Sequence, residues 1–221
     1  MNLNWLVDIL IQALNFFYSV TGSYGLAIIF LTTVINIALY PLTLSSVVQM
    51  AAVQRVQPKI SEIQKKYKDD AKKMQDELMK VYKEEKVNPF GGCLPMLLKI
   101  PFFIGFFFAL QSKEFAAIIS NPNVNSSFLW ISNLAKPDPY YILIVLIALT
   151  TYWSQKTMPG SQNSQTQTMM LFMPLFIAVI SVSFPAGVQL YWVVSNLLAV
   201  GQQLYISKVA MRDKNVSRET F

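Results

Sequence analysis

The stretch NPFGGCLPMLLKIPFFIGFFFAL, residues 88–110, is almost continuously apolar apart from one ammonium group, that of Lys99. About 20 apolar residues rising 1.5 Å each cross a hydrocarbon layer of about 30 Å, and 92–111 meets that length. A lysine near the midline of such a span costs on the order of 3 kcal/mol, so it is paired, reaches back to the headgroups or serves a function. What surrounds the span decides between these.

Four further runs reach or approach the same length: 24–48, 140–157, 169–185 and 187–206. With 53% apolar residues among 221 and a mean hydropathy of +0.39, the chain is too apolar for an ordinary soluble domain of its size. The expected fold class is all-α, a single-domain polytopic membrane protein with five transmembrane helices. The segment FPAG (184–187) leaves room only for a tight hairpin between the last two spans. Ahead of the first span, WLVDILIQALNFFYSV (5–20) mixes Trp5, Ile9, Leu14 and Phe17 with Gln12, as an N-terminal amphipathic helix lying at the outer interface would. It has no basic leader and no small-residue cleavage site, so it does not read as a signal peptide. Whether a removed signal preceded Met1 stays open.

Ten of the eighteen Lys and Arg lie between Arg55 and Lys86, four lie from Lys208 onward, and residues 1–54 have none. The positive-inside rule places both basic segments in the cytoplasm. Five spans then put the N-terminus outside, the segments 158–168 and 207–221 inside, and 113–139 outside as a loop whose only cations are Lys113 and Lys136. Residues 55–87 form a soluble island. Pro58 and the KDD of 68–70 predict a hairpin of two helices at about 56–67 and 71–86. Ile60, Ile63 and Tyr67 on the first, and Met74, Leu78, Met79 and Tyr82 on the second, give each a narrow apolar stripe. One reading is a solvated connector. The other is a docking arm for a nascent chain, a targeting factor or a partner complex, presenting Arg55, Lys59, Lys65, Lys66, Lys72 and Lys73. The net charge of +6 suits anionic lipid headgroups or ribosomal RNA, although positive-inside topology explains most of it.

Polar side chains recur inside the spans. Thr32, Asn36, Thr43 and Ser46 fall within about 80° of one another on a helix of 3.6 residues per turn. Gln189, Trp192, Asn196 and Gln203 share a face of the last span, and Thr150, Thr151, Ser154 and Gln155 cluster near the end of the third. Any one of these is accounted for as helix–helix glue, worth about 0.6 kcal/mol. Several amides and an ammonium on different spans call for more partners than dry packing offers, which points to a shared, water-containing cavity. Lys99 has its own plain explanation, because it lies about 10 Å into its span and its stem could reach the headgroups.

The sole cysteine, Cys93, excludes an internal disulfide, and there is no histidine, no GxxxxGK[ST] loop and no Cys/His cluster. Nucleotide hydrolysis, a histidine-dependent protease site, a metal site and a cofactor are therefore not expected. With no acidic residue inside any span, an intramembrane protease also lacks a base. A small transporter or channel would show an internal repeat, and none is found.

Five segments in order resemble the YidC/Oxa/Alb family of membrane-protein insertases: GLAIIFLTTVINIALYPLTLSS (25–46), VQPKISEIQKKYKDD (56–70), NPFGGCLPMLLKIPFF (88–103), DPYYIL (138–143) and FPAGVQLYWVVSNLLAVGQQLYI (184–206). The resemblance implies an ATP-independent insertase, not an enzyme, whose spans enclose a hydrophilic groove open to cytoplasm and lipid. Its substrates would be nascent single- and double-span membrane proteins, entering alone or with the Sec translocon, with the ribosome, signal recognition components and anionic lipids as further partners and no small-molecule substrate. The groove residues expected are Thr32, Asn36, Thr43, Lys99, Gln155, Gln189, Trp192 and Asn196. The short chain, without a large external domain, is similar to the Gram-positive or minimal bacterial form. One departure stands out: family members usually carry arginine where this chain has Asn36, and commonly glutamine where it has Lys99. The resemblance thus implies that the groove's positive charge has moved from one span to its neighbour. An assembly chaperone without insertion activity is the alternative.

Overall fold

The computed structural model describes residues 4–88, 94–121, 124–158 and 164–216 and, within these, all side chains except those of 94–98, 164–170 and 209–216. Residues 92–93 of the second expected span, 159–163 of the expected 158–168 loop and 217–221 of the expected tail lie outside this set. The described helices are α1 (Asn4–Thr21), α2 (Tyr24–Ala38), α3 (Tyr40–Lys66), α4 (Ala71–Glu84), α5 (Leu94–Gln111), α6 (Lys113–Ile119), α7 (Ile142–Thr157), α8 (Ser164–Ser181) and α9 (Ala186–Val216). Extended pairing among the described residues is limited to a bridge between Phe128 and Ile131.

Local chemistry explains the breaks. Gly22 takes φ +67 just past α1 and its N–H donates to the Tyr18 carbonyl at 2.7 Å, ending the helix and turning the chain through 119° into α2. The run 24–48 divides at Leu39, two residues before Pro41, which has no N–H to continue the ladder of α2 and falls in the first turn of α3, where that loss is tolerated. From Tyr40 the helix then runs unbroken through Pro58 to Lys66, so the first arm of the hairpin continues α3 instead of starting afresh at about 56. Asp70 caps α4, accepting from the Lys73 N–H at 3.1 Å. Lys59 pairs with Glu85 across the two arms. The last helix also outruns its expected end at 206, since no proline interrupts 186–216.

Helix α9 is central, packing against α2, α3, α5 and α7. Leu6, Leu10 and Leu14 of α1 form a buried stripe that crosses α5 at Gly105, where a Cβ would come within 2.7 Å of Leu10 Cδ1. The dry core gathers at the end of the bundle away from the α3–α4 hairpin, around Ile28, Phe106, Leu110, Ile147 and Val188. That end is closed by the chain between α6 and α7. Leu134 and Lys136 offer their carbonyls to the N–H groups of Gly187 and Ala186 at 2.9 and 2.7 Å, satisfying the start of α9. Asp138, 2% exposed, caps α7: Oδ2 accepts from Leu143 N at 2.7 Å, and Oδ1 from Trp130 Nε1 and Tyr140 N at 3.0 and 3.1 Å.

Outward-facing apolar side chains are abundant, among them Val34 on α2, Phe108 on α5, Leu149 on α7 and Leu171, Leu175 and Val179 on α8. A surface this apolar belongs against lipid, not water. Taken singly, no described helix is both long and apolar enough to cross a bilayer. The pair α1–α2, and residues 99–119 with a 57° bend at Ser112, reach that length together.

Candidate functional site: a cavity with one polar wall beside the hairpin end

Below the dry core the bundle opens into a cavity of about 270 Å³ bounded by α3, α5, α7, α8 and α9. Its polar wall is built at helical spacing: Thr43 and Ser46 from α3, Thr151, Ser154 and Gln155 from α7, and Ser195, Asn196 and Gln203 from α9. Apolar side chains, among them Met50, Phe103, Met173, Ile177 and Trp192, make up the larger part of the lining. Lys99 of α5 also lines it, half-buried, and makes no ion pair or hydrogen bond with the described residues. Asn196 Nδ2 donates to the Thr151 and Thr150 hydroxyls at 2.9 and 3.2 Å, which fixes α7 against α9 behind the wall. Gln203, 5% exposed, keeps a buried Nε2 with no hydrogen-bond partner among the described residues.

The eight expected groove residues divide. Thr43, Lys99, Gln155, Trp192 and Asn196 come together on the cavity wall. Thr32, Asn36 and Gln189 lie beyond it. Thr32 donates back to the Ile28 carbonyl at 2.6 Å, and Asn36 Nδ2 to the Thr32 carbonyl at 2.8 Å. The Asn36 backbone carbonyl receives Gln202 Nε2 at 3.1 Å, so this residue is packed between α2 and α9 at 2% exposure. Gln189 ties the α8–α9 turn, its Nε2 donating to the Ser181 and Phe184 carbonyls at 2.7 and 3.2 Å. Sequence reasoning named Trp192 but passed over Tyr191 and Phe103, the other aromatic residues of the wall, and left Ser195 out of its stripe. Ser195 falls three residues after Trp192, so the same helical face carried the signal.

Helix α8 packs along α7 and, among the described residues, makes no extended contact with α5. Helices α5 and α8 both line the cavity and present exposed apolar side chains beside it, Ile100 on the first and Phe172 and Phe176 on the second. At the hairpin, Arg55, Lys59, Lys65, Lys66, Lys72 and Lys73 are all exposed. Glu85 holds the Lys59 ammonium above its ordinary pKa by hydrogen bonding, and Glu77 does the same for Lys80. No cluster of His, Cys, Asp or Glu suited to a metal ion occurs among the described residues.

An all-helical bundle with an apolar outer surface, and a cavity whose largely apolar lining also carries hydroxyl, amide and ammonium groups, defines the class, a helical membrane protein. The family model described as 60Kd inner membrane protein matches residues 16–214, and the chain belongs to that family, the YidC/Oxa/Alb proteins that its motifs resemble. Curated relatives named membrane protein insertase YidC are 39% identical over 210 residues in Geobacter sulfurreducens, 40% over 208 in Syntrophus aciditrophicus and 41% over 205 in Neisseria gonorrhoeae. These matches cover 93–94% of this chain but 36–38% of each relative, so the chain spans less than two fifths of their length. A solved structure, "Active YidC insertase crystal structure with the first transmembrane domain resolved", aligns with a TM-score of 0.73 at 25% identity, covering 91% of this chain and 46% of that one.

Proposed function

We propose that this chain is a membrane-protein insertase of five spans, formed by α2 with the start of α3, α5, α7, α8 and α9, with the hairpin and C-terminus cytoplasmic and α1 at the outer interface. The observation that carries this reading is the cavity, where hydroxyl and amide side chains from three helices and the Lys99 ammonium gather within a largely apolar bundle. The external tail of a client is polar, and taking it through hydrocarbon strands hydrogen-bonding groups at several kcal/mol each. A hydrated groove reaching partway across shortens that path. Lys99 attracts acidic residues of the tail as a compact point charge, while Gln155, Asn196 and Gln203 offer hydrogen bonds. The client's apolar segment leaves sideways between α5 and α8, driven by its own burial in lipid. No chemical step is required. Clients of one or two spans suit the small cavity, and the basic hairpin suits anionic lipid, ribosome, signal recognition or Sec partners.

The test is protease-protected insertion of a single-span client into liposomes containing only this chain. Lys99→Arg should insert a client with an acidic tail as wild type does. Lys99→Gln should slow it about tenfold, the equivalent of ~1.4 kcal/mol, and Lys99→Glu should favour a basic tail instead. Equal rates for all four proteins would remove the charge from the mechanism. A wild type that binds clients but translocates none would mark an assembly chaperone.

A further inference from the structure

A second groove lies on the face of α9 turned away from the cavity. It holds about 360 Å³ and is lined by Ile37 of α2, Tyr40 of α3, and Gly201, Gln202 and Tyr205 of α9. Gly201 stands two residues before the cavity residue Gln203, which places it about 200° around the helix. The missing side chain makes the groove: a Cβ at Gly201 would meet nothing within 4 Å, while Ile37 and Tyr205, 64% and 62% exposed, flank the gap. Gln202 fixes the floor, its Nε2 donating to the Asn36 carbonyl at 3.1 Å and tying α9 to α2.

Length and charge together say what covers it. Along α9 the first exposed residue is Leu197, eleven residues after Ala186, and Gly201, Leu204, Tyr205 and Lys208 continue the exposed strip towards the hairpin end. From Leu197 to Lys208 the strip is about 16 Å long, half of the roughly 30 Å of hydrocarbon in a bilayer. A partner helix crossing the membrane would need a face of full length, whereas a phospholipid of one leaflet needs half. Gly201, Tyr205 and Lys208 are spaced 4 and 3 apart, so the Lys208 ammonium stands about one turn beyond the groove on the same face. That ammonium and the hydroxyls of Tyr40 and Tyr205 make no hydrogen bond or ion pair with the described residues. No Asp or Glu occurs in 24–61 or 186–208 to oppose the cation. An apolar notch that ends in two hydroxyls and a cation complements an acyl chain below an anionic headgroup.

We infer that this groove binds one phospholipid of the leaflet on the hairpin side, an acyl chain lying along Ile37, Gly201 and Leu204 and an anionic headgroup meeting Lys208, Tyr40 and Tyr205. The inference rests on the reading of α9 as a membrane span. Seated there, the lipid touches both sides of the joint at Leu39 where α2 gives way to α3.

The test is native mass spectrometry of the full chain, reconstituted in vesicles of equal parts phosphatidylglycerol and phosphatidylcholine and released in mild detergent. Wild type should carry one phosphatidylglycerol, retained about fivefold over phosphatidylcholine, as one cation near a membrane surface provides. Lys208→Gln should erase that preference, and Lys208→Arg should keep it. Gly201→Leu, which fills the notch, should reduce retention of the lipid about tenfold. Val179→Leu, on the exposed face of α8, should change nothing. Equal retention of the two lipids by wild type overturns the site, as does a wild-type preference in Lys208→Gln or wild-type retention in Gly201→Leu. A dimer that carries no lipid and disappears in Gly201→Leu assigns the groove to a second copy of the chain and overturns the lipid. Should Gly201→Leu fail to fold, Lys208→Gln decides, because its exposed side chain holds no other described group. Loss of client insertion with the lipid retained counts against the insertase reading alone, whereas normal insertion by a chain that retains no phosphatidylglycerol counts against the lipid site alone.

Discussion

Replacing Asp138 by alanine should cost about 3 to 5 kcal/mol of stability. The carboxylate is buried and accepts three hydrogen bonds, from Leu143 N at 2.7 Å, Trp130 Nε1 at 3.0 Å and Tyr140 N at 3.1 Å. Hydrogen bonds to a charged acceptor are worth about 1.5–3 kcal/mol each, and a buried donor left without a partner costs about 1–3 kcal/mol. Leu143 N is fully buried and takes the larger penalty. The other two donors are only partly buried and regain some of the loss from water. Asp138→Asn keeps one acceptor oxygen but sets an amide N–H₂ against either Leu143 N or the Trp130 and Tyr140 donors. Its cost should be about 2 kcal/mol, between wild type and alanine. The assay is reversible unfolding in mixed detergent, paired with hydrogen exchange at the Leu143 amide. An alanine variant within 1 kcal/mol of wild type, or one no worse than asparagine, would refute the view that this side chain holds the start of α7 to the chain between α6 and α7.

Other outcomes follow from the same geometry. Gly187→Ala should destabilise by about 1–3 kcal/mol, because the new Cβ would stand 2.6 Å from Leu110 Cδ1 and 3.3 Å from the Leu134 carbonyl oxygen. Gly201→Ala on the same helix meets no atom within 4 Å and should stabilise by up to about 1 kcal/mol, so a matched pair of unfolding curves separates packing from propensity. Asn196→Ala should cost only about 1 kcal/mol in such curves, the sum of two modest intrahelical-bundle bonds to Thr150 and Thr151. Because Glu85 raises the Lys59 pKa, the arm-to-arm pair contributes its full stabilisation below the unfolded lysine value of about 10.4 and loses it as pH rises through the higher folded value. The distance between labels on α3 and α4 should therefore be constant from pH 6 to about 9 and increase only in strong alkali.

The helical runs were legible because apolar length is a property of composition, and the KDD turn because Asp70 is a recognisable cap. The polar stripes were legible in azimuth but not in depth. Thr32 and Asn36 share a face with Thr43 and Ser46, yet the upper pair meets α9 in the dry half of the bundle and the lower pair meets the cavity. A period of 3.6 residues says which way a side chain points and is silent about what lies opposite. The same limit explains Gln189, which shares a face with Asn196 but sits close enough to the start of α9 to tie the preceding turn. Asp138 went unread as a cap because Pro139 follows it and the helix begins four residues later, so the carboxylate reaches back across a turn that only the folded loop provides. Phe103 and Tyr191 escaped for a simpler reason: in an apolar run, rings that line a cavity look the same as rings that face lipid.

The unbroken course of α3 has a mechanical consequence. From the joint at Leu39 to Lys66 it is a rod of 27 residues, about 40 Å long. Ser46, on the cavity wall, lies about 10 Å from that joint. A load applied at the hairpin's tip thus acts with roughly fourfold leverage: 4 Å of travel at the far end moves the wall by about 1 Å, and force is multiplied in the same ratio. Whatever seats itself on the basic arm holds a handle attached to one side of the cavity.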